Sequence, residues 1–521
     1  MAIYLGGDLS STKASLVAID GRSMRRVGTY RVSIDDVADS LGVKTEGGMV
    51  EGPGGVFTVP GKVMVKAVEE VMQQAARDST YDNSEAKAGS WSVQGHLGIY
   101  LRKGAAELLR DNGLSDDLWK AMEPLFTCDC PTWKDSSTGE QVASLNQRMR
   151  EAGHPVIVMA ERYPGPQIAK RVNTSAYNDA DAIMVGNALP SLLITGVRTF
   201  SGPGDAAASG FVSLEDLTLC KPAADVIDRS LYTKVAQVTS AGGFIGSATP
   251  YFRRMGFKNL KMFVGDQDNV KSAAYLICGD KFVQVSLGTS YTVSVTSKTP
   301  IHGFEGNFAS NDKTNPYLLL LTKRNGSNSI VATLVAYGKG DKEFGLISPC
   351  LAATPIGNDG SIALPHYGPE IIPYNPNGSG IIREGYHGAP TLERDLRAVI
   401  EGNAASMKIW ADRHFGNKGF NALSFAGGAT NNLDIVKTWV NMFGVPGYLM
   451  KDSDDAAAIG AALTAMADSD GRRTLQTVLG AFLKANEPQI VPVDQKAAAF
   501  YRESFVPVYQ RFEAKHILAR R

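Results

Sequence analysis

The run Gly265-Asp266-Gln267-Asp268-Asn269 puts two carboxylates and a carboxamide directly after an apolar stretch at residues 262–264. A carboxylate at a strand end can take a proton from a hydroxyl, and general bases of kinases are usually carboxylates. Shortly after it, Ser286-Leu287-Gly288-Thr289-Ser290 forms a small-residue turn between two runs of alternating apolar residues. Backbone N–H groups in such a turn can bind phosphate oxygens without strong side-chain charge. A base for an alcohol close to a cradle for a phosphate suggests phosphoryl transfer. A purely structural reading stands beside it: Asp266 and Asp268 cap a helix over residues 269–277, and a helix N-terminus stabilises anions in either case.

The same strand, small-hydroxyl turn and strand occur at the start of the chain. Residues 2–5 read as a strand, Gly6 to Thr12 as a turn carrying Ser10, Ser11 and Thr12, and residues 13–20 as a second strand. Asp8 beside that turn suits a Mg²⁺ ion held through water. Two copies of the unit, about 280 residues apart, suggest two related halves. We place the division at 264/265, giving domains 1–264 and 265–521.

Other residues carry chemistry less specifically. His96 follows a predicted strand over residues 88–94, where a polar side chain at the carboxyl edge of a parallel sheet meets ligand. Trp133 and Asp135 combine an aromatic face with a carboxylate, which suits a sugar and equally a surface loop. Arg162 reads as a surface ion-pair residue or a ligand contact. Asp205 is a further acidic candidate. Gly427 and Gly428 precede a helix and permit close approach of a nucleotide, although neither G-x-G-x-x-G nor a Walker motif is present.

The elements that must position these residues are of α/β type. Residues 61–77 show a helical apolar face of Met64, Val68, Val71 and Met72. Residues 179–193 read as helix and 241–250 as loop. Later come a strand at 422–425, a helix with Leu433, Val436, Val440 and Phe443 on one face, a strand at 447–450 and a helix from 456 to 466.

Bulk composition narrows the function class. The chain has 521 residues, 44% hydrophobic and 20% charged, with 53 basic and 53 acidic side chains. That length suits two domains, and its neutrality recruits neither nucleic acid nor an anionic membrane. The five cysteines read as reduced thiols, and no leader or membrane span is evident, so a cytoplasmic location is expected. Nothing specifies an oligomeric state.

Taken in order, GGDLSSTKASLVAID, WSVQGHLGIYL, CDCPTWKDSS, AERYPGPQIAK, FVGDQDNVKSAAYLICGDKFVQVSLGTS and FAGGATNN resemble the FGGY carbohydrate kinase family, most closely its eukaryotic-type xylulokinases. The resemblance implies an α/β fold of two actin-like (ribonuclease-H-like) domains with an interdomain cleft. It implies ATP-dependent, Mg²⁺-assisted phosphorylation of a ketopentose, D-xylulose, with ribulose, glycerol or non-catalytic sugar binding as alternatives. Asp268 falls on the catalytic base. His96, Arg162 and Asn269 fall on sugar-binding positions, and Trp133 and Asp135 in a sugar-lining segment. The Ser10–Ser11–Thr12 and Gly288–Thr289–Ser290 turns fall on phosphate-facing hairpins. Gly427, Gly428 and Asn432 fall at the nucleotide. The chain departs from the family at Gln267, where relatives have a small residue, and at the extra carboxylate Asp266, expected to assist metal binding or to raise the pKa of Asp268. It also has Ser10 after the Asp8-Leu9 pair, where many relatives have glycine.

Overall fold

The computed structural model describes residues 2–114, 117–153, 158–277, 279, 281–301, 304–416 and 419–518. Two compact units result. One comprises Met1–Tyr275, Thr296–Leu318 and Asp455–Asn486; the other comprises Leu276–Val295, Leu319–Asp454 and Glu487–Arg521.

In the first unit, Ile3–Leu9, Lys13–Asp20 and Arg25–Ser33 form an antiparallel meander. Ala86–Val93 lies parallel to Ile3–Leu9, and Lys261–Phe263 lies parallel to Ala86–Val93. Two further residues, Asp266–Gln267, pair with Ser92 and Val93. The parallel strands thus end along one edge, at Leu9, Val93 and Gln267, and such edges are where open α/β sheets bind ligands.

The first turn is shorter than expected. Gly6, Gly7 and Asp8 belong to the strand, and only residues 10–12 form the turn. The glycines serve close approach instead. A Cβ on Gly6 would stand 1.9 Å from the Ala458 carbonyl oxygen, and one on Gly7 would stand 2.2 Å from the Trp91 ring. Gly6 therefore lets the small-residue helix Ala456–Asp470 lie directly on the strand. Helix Gly61–Arg77 joins the core of the opposite face through Met64, Val68, Val71 and Met72, all buried as its periodicity requires.

The second unit repeats the connectivity. Phe282–Leu287 and Tyr291–Ser297 form an antiparallel hairpin, Ala422–Ala426 and Gly447–Leu449 add in parallel, and Gln489–Val491 closes antiparallel. Helix Leu433–Phe443 buries Val436, Val440 and Phe443, but Leu433 is exposed because it begins the helix beyond the covered stripe.

Two sequence expectations fail. The stretch 179–193 is not one helix: Ala182–Val185 is a fully buried strand paired with Gly98–Leu101, and a helix starts only at Leu189, where Pro190 fits the first turn. The loop expected over 241–250 contains strand Phe244–Ser247, paired antiparallel with Lys261–Phe263. Cys128, Cys130, Cys220 and Cys350 are free thiols; Cys278 lies outside the described residues. Among the described residues no helix is long and apolar enough to cross a membrane.

Candidate active site

Asp268 opens helix Asp268–Leu276 immediately after the Asp266–Gln267 strand. Its Oδ1 accepts from the backbone N–H of Asn269 at 2.8 Å and from the Asn269 carboxamide at 3.0 Å. Enclosure by protein pushes its carboxyl up to about 6, the Asn269 donors pull it down, and the Asp205 charge adds to the rise. The group is still mostly ionised at neutral pH and so can accept a proton.

Asp8 sits opposite Ser92 in the sheet, 6% exposed, with Oδ1 lacking any hydrogen-bond partner. Burial pushes this carboxyl up to about 7; the Ser92 hydroxyl lowers it, and the Asp268 charge raises it further. Two carboxylates that repel one another, one with an orphaned buried oxygen, fit a site for a divalent cation. Among the described residues no cluster of three or more potential metal-ligating side chains occurs; Mg²⁺ usually keeps several of its own waters, so a single carboxylate such as that of Asp8 suffices on the protein side.

His96 is buried in a left-handed backbone conformation, φ 65°, a strained state for a non-glycine residue. Its Nδ1 lies 2.7 Å from Asp205 Oδ1, and its backbone N–H donates to both Asp205 oxygens at 3.2 and 2.9 Å. Tyr163 lies against the imidazole, ring centroids 4.6 Å apart, with Phe308 at 6.1 Å. Arg162 lies over the Tyr163 ring and pairs with Glu305 at 3.4 Å. Glu305 also accepts the Tyr163 hydroxyl through its backbone carbonyl, at 2.7 Å. Arg162, Tyr163, His96, Asp205, Asp268 and Asp8 thus form a continuous chain of contacts and charges within one unit.

Asp266 has another role from the one expected. Its carboxylate accepts from the N–H groups of Gly204, Asp205 and Gln267 at 2.9–3.1 Å. It clamps the loop that carries Asp205, and the like charge bearing on Asp268 is that of Asp205. Burial pushes Asp266 up to about 7, offset by the Lys271 ammonium, which burial brings down to about 8.

Trp133 Nε1 donates to Ser11 Oγ at 2.9 Å, and Ser11 Oγ donates to Gln94 Oε1 at 3.2 Å. The Ser11 hydroxyl is therefore committed to protein, as is that of Ser10, which donates to the Lys13 carbonyl. Thr12 is exposed. Asp135 holds its own loop, accepting from the N–H groups of Ser137 and Phe57.

In the second unit the two glycine turns meet. Gly427 has φ 93°, and a Cβ there would stand 2.6 Å from the Leu287 backbone and 2.8 Å from the Gly288 nitrogen. Gly428 faces open space. The carbonyls of Gly288 and Thr289 accept from the N–H groups of Ser327 and Asn328, and Gly326 lies behind Ser290. Asn432 caps helix Leu433–Phe443, accepting from Asp434 and Ile435, while its amide donates to Ser348 Oγ.

Sequence reasoning missed Tyr163, Glu305 and Phe308, which only the fold brings to His96. It left Asp205 as a bare candidate. Gly202 and Gly204 around it carried a signal: a Cβ on either would stand within 2.0–2.5 Å of the Gly265 carbonyl or the Asp266 carboxylate.

The model of the FGGY family of carbohydrate kinases, C-terminal domain, matches residues 283–469. The chain is 24% identical to the xylulose kinase of Mus musculus, covering 98% of this chain and 94% of that protein. It is 27% identical to xylulose kinase 2 of Arabidopsis thaliana, covering 89% and 87%. The ligand-bound xylulose kinase of Lactobacillus acidophilus shares the fold, with a TM-score of 0.79, 19% identity and 99% and 98% coverage. Residues 283–469 thus match the C-terminal domain of the FGGY carbohydrate kinases, the chain is similar to xylulose kinases over most of its length, and it is an ATP-dependent sugar kinase.

Proposed function

We propose that this kinase phosphorylates the terminal hydroxyl of D-xylulose, with Asp268 as general base. One observation carries the reading: a half-buried, ionisable carboxylate at the end of a parallel strand shares a unit with His96, Arg162 and Asp8. Near-full-length likeness to xylulose kinases supports the choice of sugar.

His96, Arg162 and Asn269 bind the sugar in the unit built mainly from residues 1–264. Trp133 closes the wall of that site and, through Ser11, steadies the phosphate-facing turn. Asp135 acts by fixing the loop that carries Trp133. ATP binds the unit built mainly from residues 265–521, at the Gly288–Thr289–Ser290 turn and the Gly427–Gly428 turn. Asn432 shapes that site by capping its helix. Asp8 would hold Mg²⁺, which would supply positive charge to offset that of the phosphates. Asp268 takes the hydroxyl proton as the oxygen attacks the γ-phosphorus, and turn N–H groups stabilise charge on the transferring group.

The test is a coupled ADP-release assay with MgATP over ketopentoses and polyols, run on the native enzyme and on Asp268→Asn. The expected result is turnover on D-xylulose above its competitors, with kcat reduced at least ~10²-fold in the variant and sugar affinity little changed. Near-native turnover by Asp268→Asn removes that residue from the role, and a stronger response to ribulose or glycerol removes the substrate assignment.

A further inference from the structure

We infer that Asp205 is the positioning residue for His96: it fixes which imidazole nitrogen carries hydrogen, and so what the ring offers the sugar. The inference rests on the sugar-kinase reading of the site.

Asp205 is fully buried and 109 residues from His96 in sequence. It meets that residue at two places, the backbone N–H and ring Nδ1. The Asn187 carboxamide also donates to it, at 3.4 Å. An ionised carboxylate only accepts hydrogen bonds. Nδ1 lies 2.7 Å from the carboxylate, off the line of a hydrogen bond; at that distance a nitrogen lone pair is repelled by the anionic oxygen and an N–H is attracted, so the hydrogen belongs on Nδ1 and Nε2 is left for ligand. In the neutral ring Nε2 is a lone-pair acceptor, suited to a sugar hydroxyl that donates.

The carboxylate is held in turn. The backbone N–H of Asp205 donates to Asp266, and so does that of Gly204. The Gly202 N–H donates to the Asn187 side-chain oxygen at 2.8 Å. The loop cannot slide without breaking these bonds. The same carboxylate holds His96 in its left-handed conformation, because it accepts the backbone N–H of His96 while the ring lies against it. Tyr163 and Phe308 border the ring, so its rotation is restricted as well as its tautomer.

Asp205→Asn replaces an acceptor by a group that can donate to Nδ1, which would move the ring hydrogen to Nε2 and turn an acceptor into a donor. With D-xylulose as the probe, KM is expected to rise at least ~10-fold while kcat changes less than ~3-fold. In a His96→Asn background the same substitution is expected to add nothing further, because its effect passes through the ring. A loss that is additive across the two sites, or an unchanged KM, overturns the inference. A second measurement needs no variant of Asp205 to fold. Long-range ¹H–¹⁵N spectra of the native protein, with the His96 signals found by comparison with His96→Gln, report the tautomer directly. Hydrogen on Nδ1 is expected, and hydrogen on Nε2 of the neutral ring overturns the inference. A native enzyme silent on D-xylulose would refute the substrate reading, while the spectrum would still decide the tautomer.

Discussion

Asp8 costs this protein stability, and Asp8→Asn should recover it. The carboxyl is 6% exposed, carries an oxygen with no partner, and is pushed by burial up to about 7 from an ordinary value of 3.8. A carboxyl whose folded pKa is raised favours folding in its protonated form. The penalty is thus absent below the unfolded value, grows as pH rises between the two values, and is complete above about 7. Each unit of difference is worth about 1.4 kcal/mol, so the full penalty is roughly 4 kcal/mol. The asparagine amide brings a cost of its own, on the order of 1–3 kcal/mol if its buried NH₂ stays unsatisfied, but that cost does not vary with pH. The stability of Asp8→Asn relative to the native chain should therefore improve by roughly 4 kcal/mol between pH 4 and pH 8. Urea unfolding followed by tryptophan fluorescence measures this, since Trp91 lies against Gly7, the neighbour of Asp8. The same variant should lose most of its MgATP-dependent turnover. A stability difference that stays flat with pH would refute the reasoning, because a carboxylate already compensated in the folded protein has no such slope.

Two more outcomes follow from the geometry. The kcat of the native enzyme should fall tenfold per pH unit below about 6, as Asp268 takes up the proton it must lack, and the limb should vanish from the residual activity of Asp268→Asn. Gly6→Ala should destabilise the first unit by about 3 kcal/mol or more, seen as a lowered urea midpoint, because the added Cβ meets the Ala458 backbone at 1.9 Å and no rotamer relieves it.

Much of the architecture was legible because it is periodic. Helix Gly61–Arg77 shows its apolar stripe, and the hairpin of Phe282–Leu287 and Tyr291–Ser297 alternates with period two in sequence. Ala182–Val185 was not legible as a strand. A four-residue run buried on both faces has no alternation, and it merged with the real helix that starts at Leu189. Gly6 and Gly7 misled in another way. Glycine suits turns and also suits close contact, and only the neighbouring helix Ala456–Asp470 and Trp91 decide between them. The residue types of the site could be found locally, but their partners could not. Arg162 meets Glu305, 143 positions away, and Trp133 meets Ser11, 122 positions away. No local pattern encodes such a pairing.

The acidic run at 266–268 illustrates how one boundary divides labour between like residues. Residues two apart in a strand point to the same face, so a longer strand would aim Asp266 and Asp268 alike. The strand instead ends at Gln267 and the helix begins at Asp268. Asp266, still in the ladder, turns to the backbone of residues 204 and 205 and is consumed by hydrogen bonds. Asp268, at the helix start, keeps a position open enough for a substrate, while enclosure by protein and the nearby Asp205 charge raise its affinity for protons. The first carboxylate holds the loop that holds His96, and the second is free to do chemistry. Starting the helix one residue later would keep Asp268 in the strand and aim it with Asp266. The ladder pairs Asp266↔Ser92 and Gln267↔Val93, which set where that strand must stop, are thus as much a requirement of the site as the carboxylates themselves.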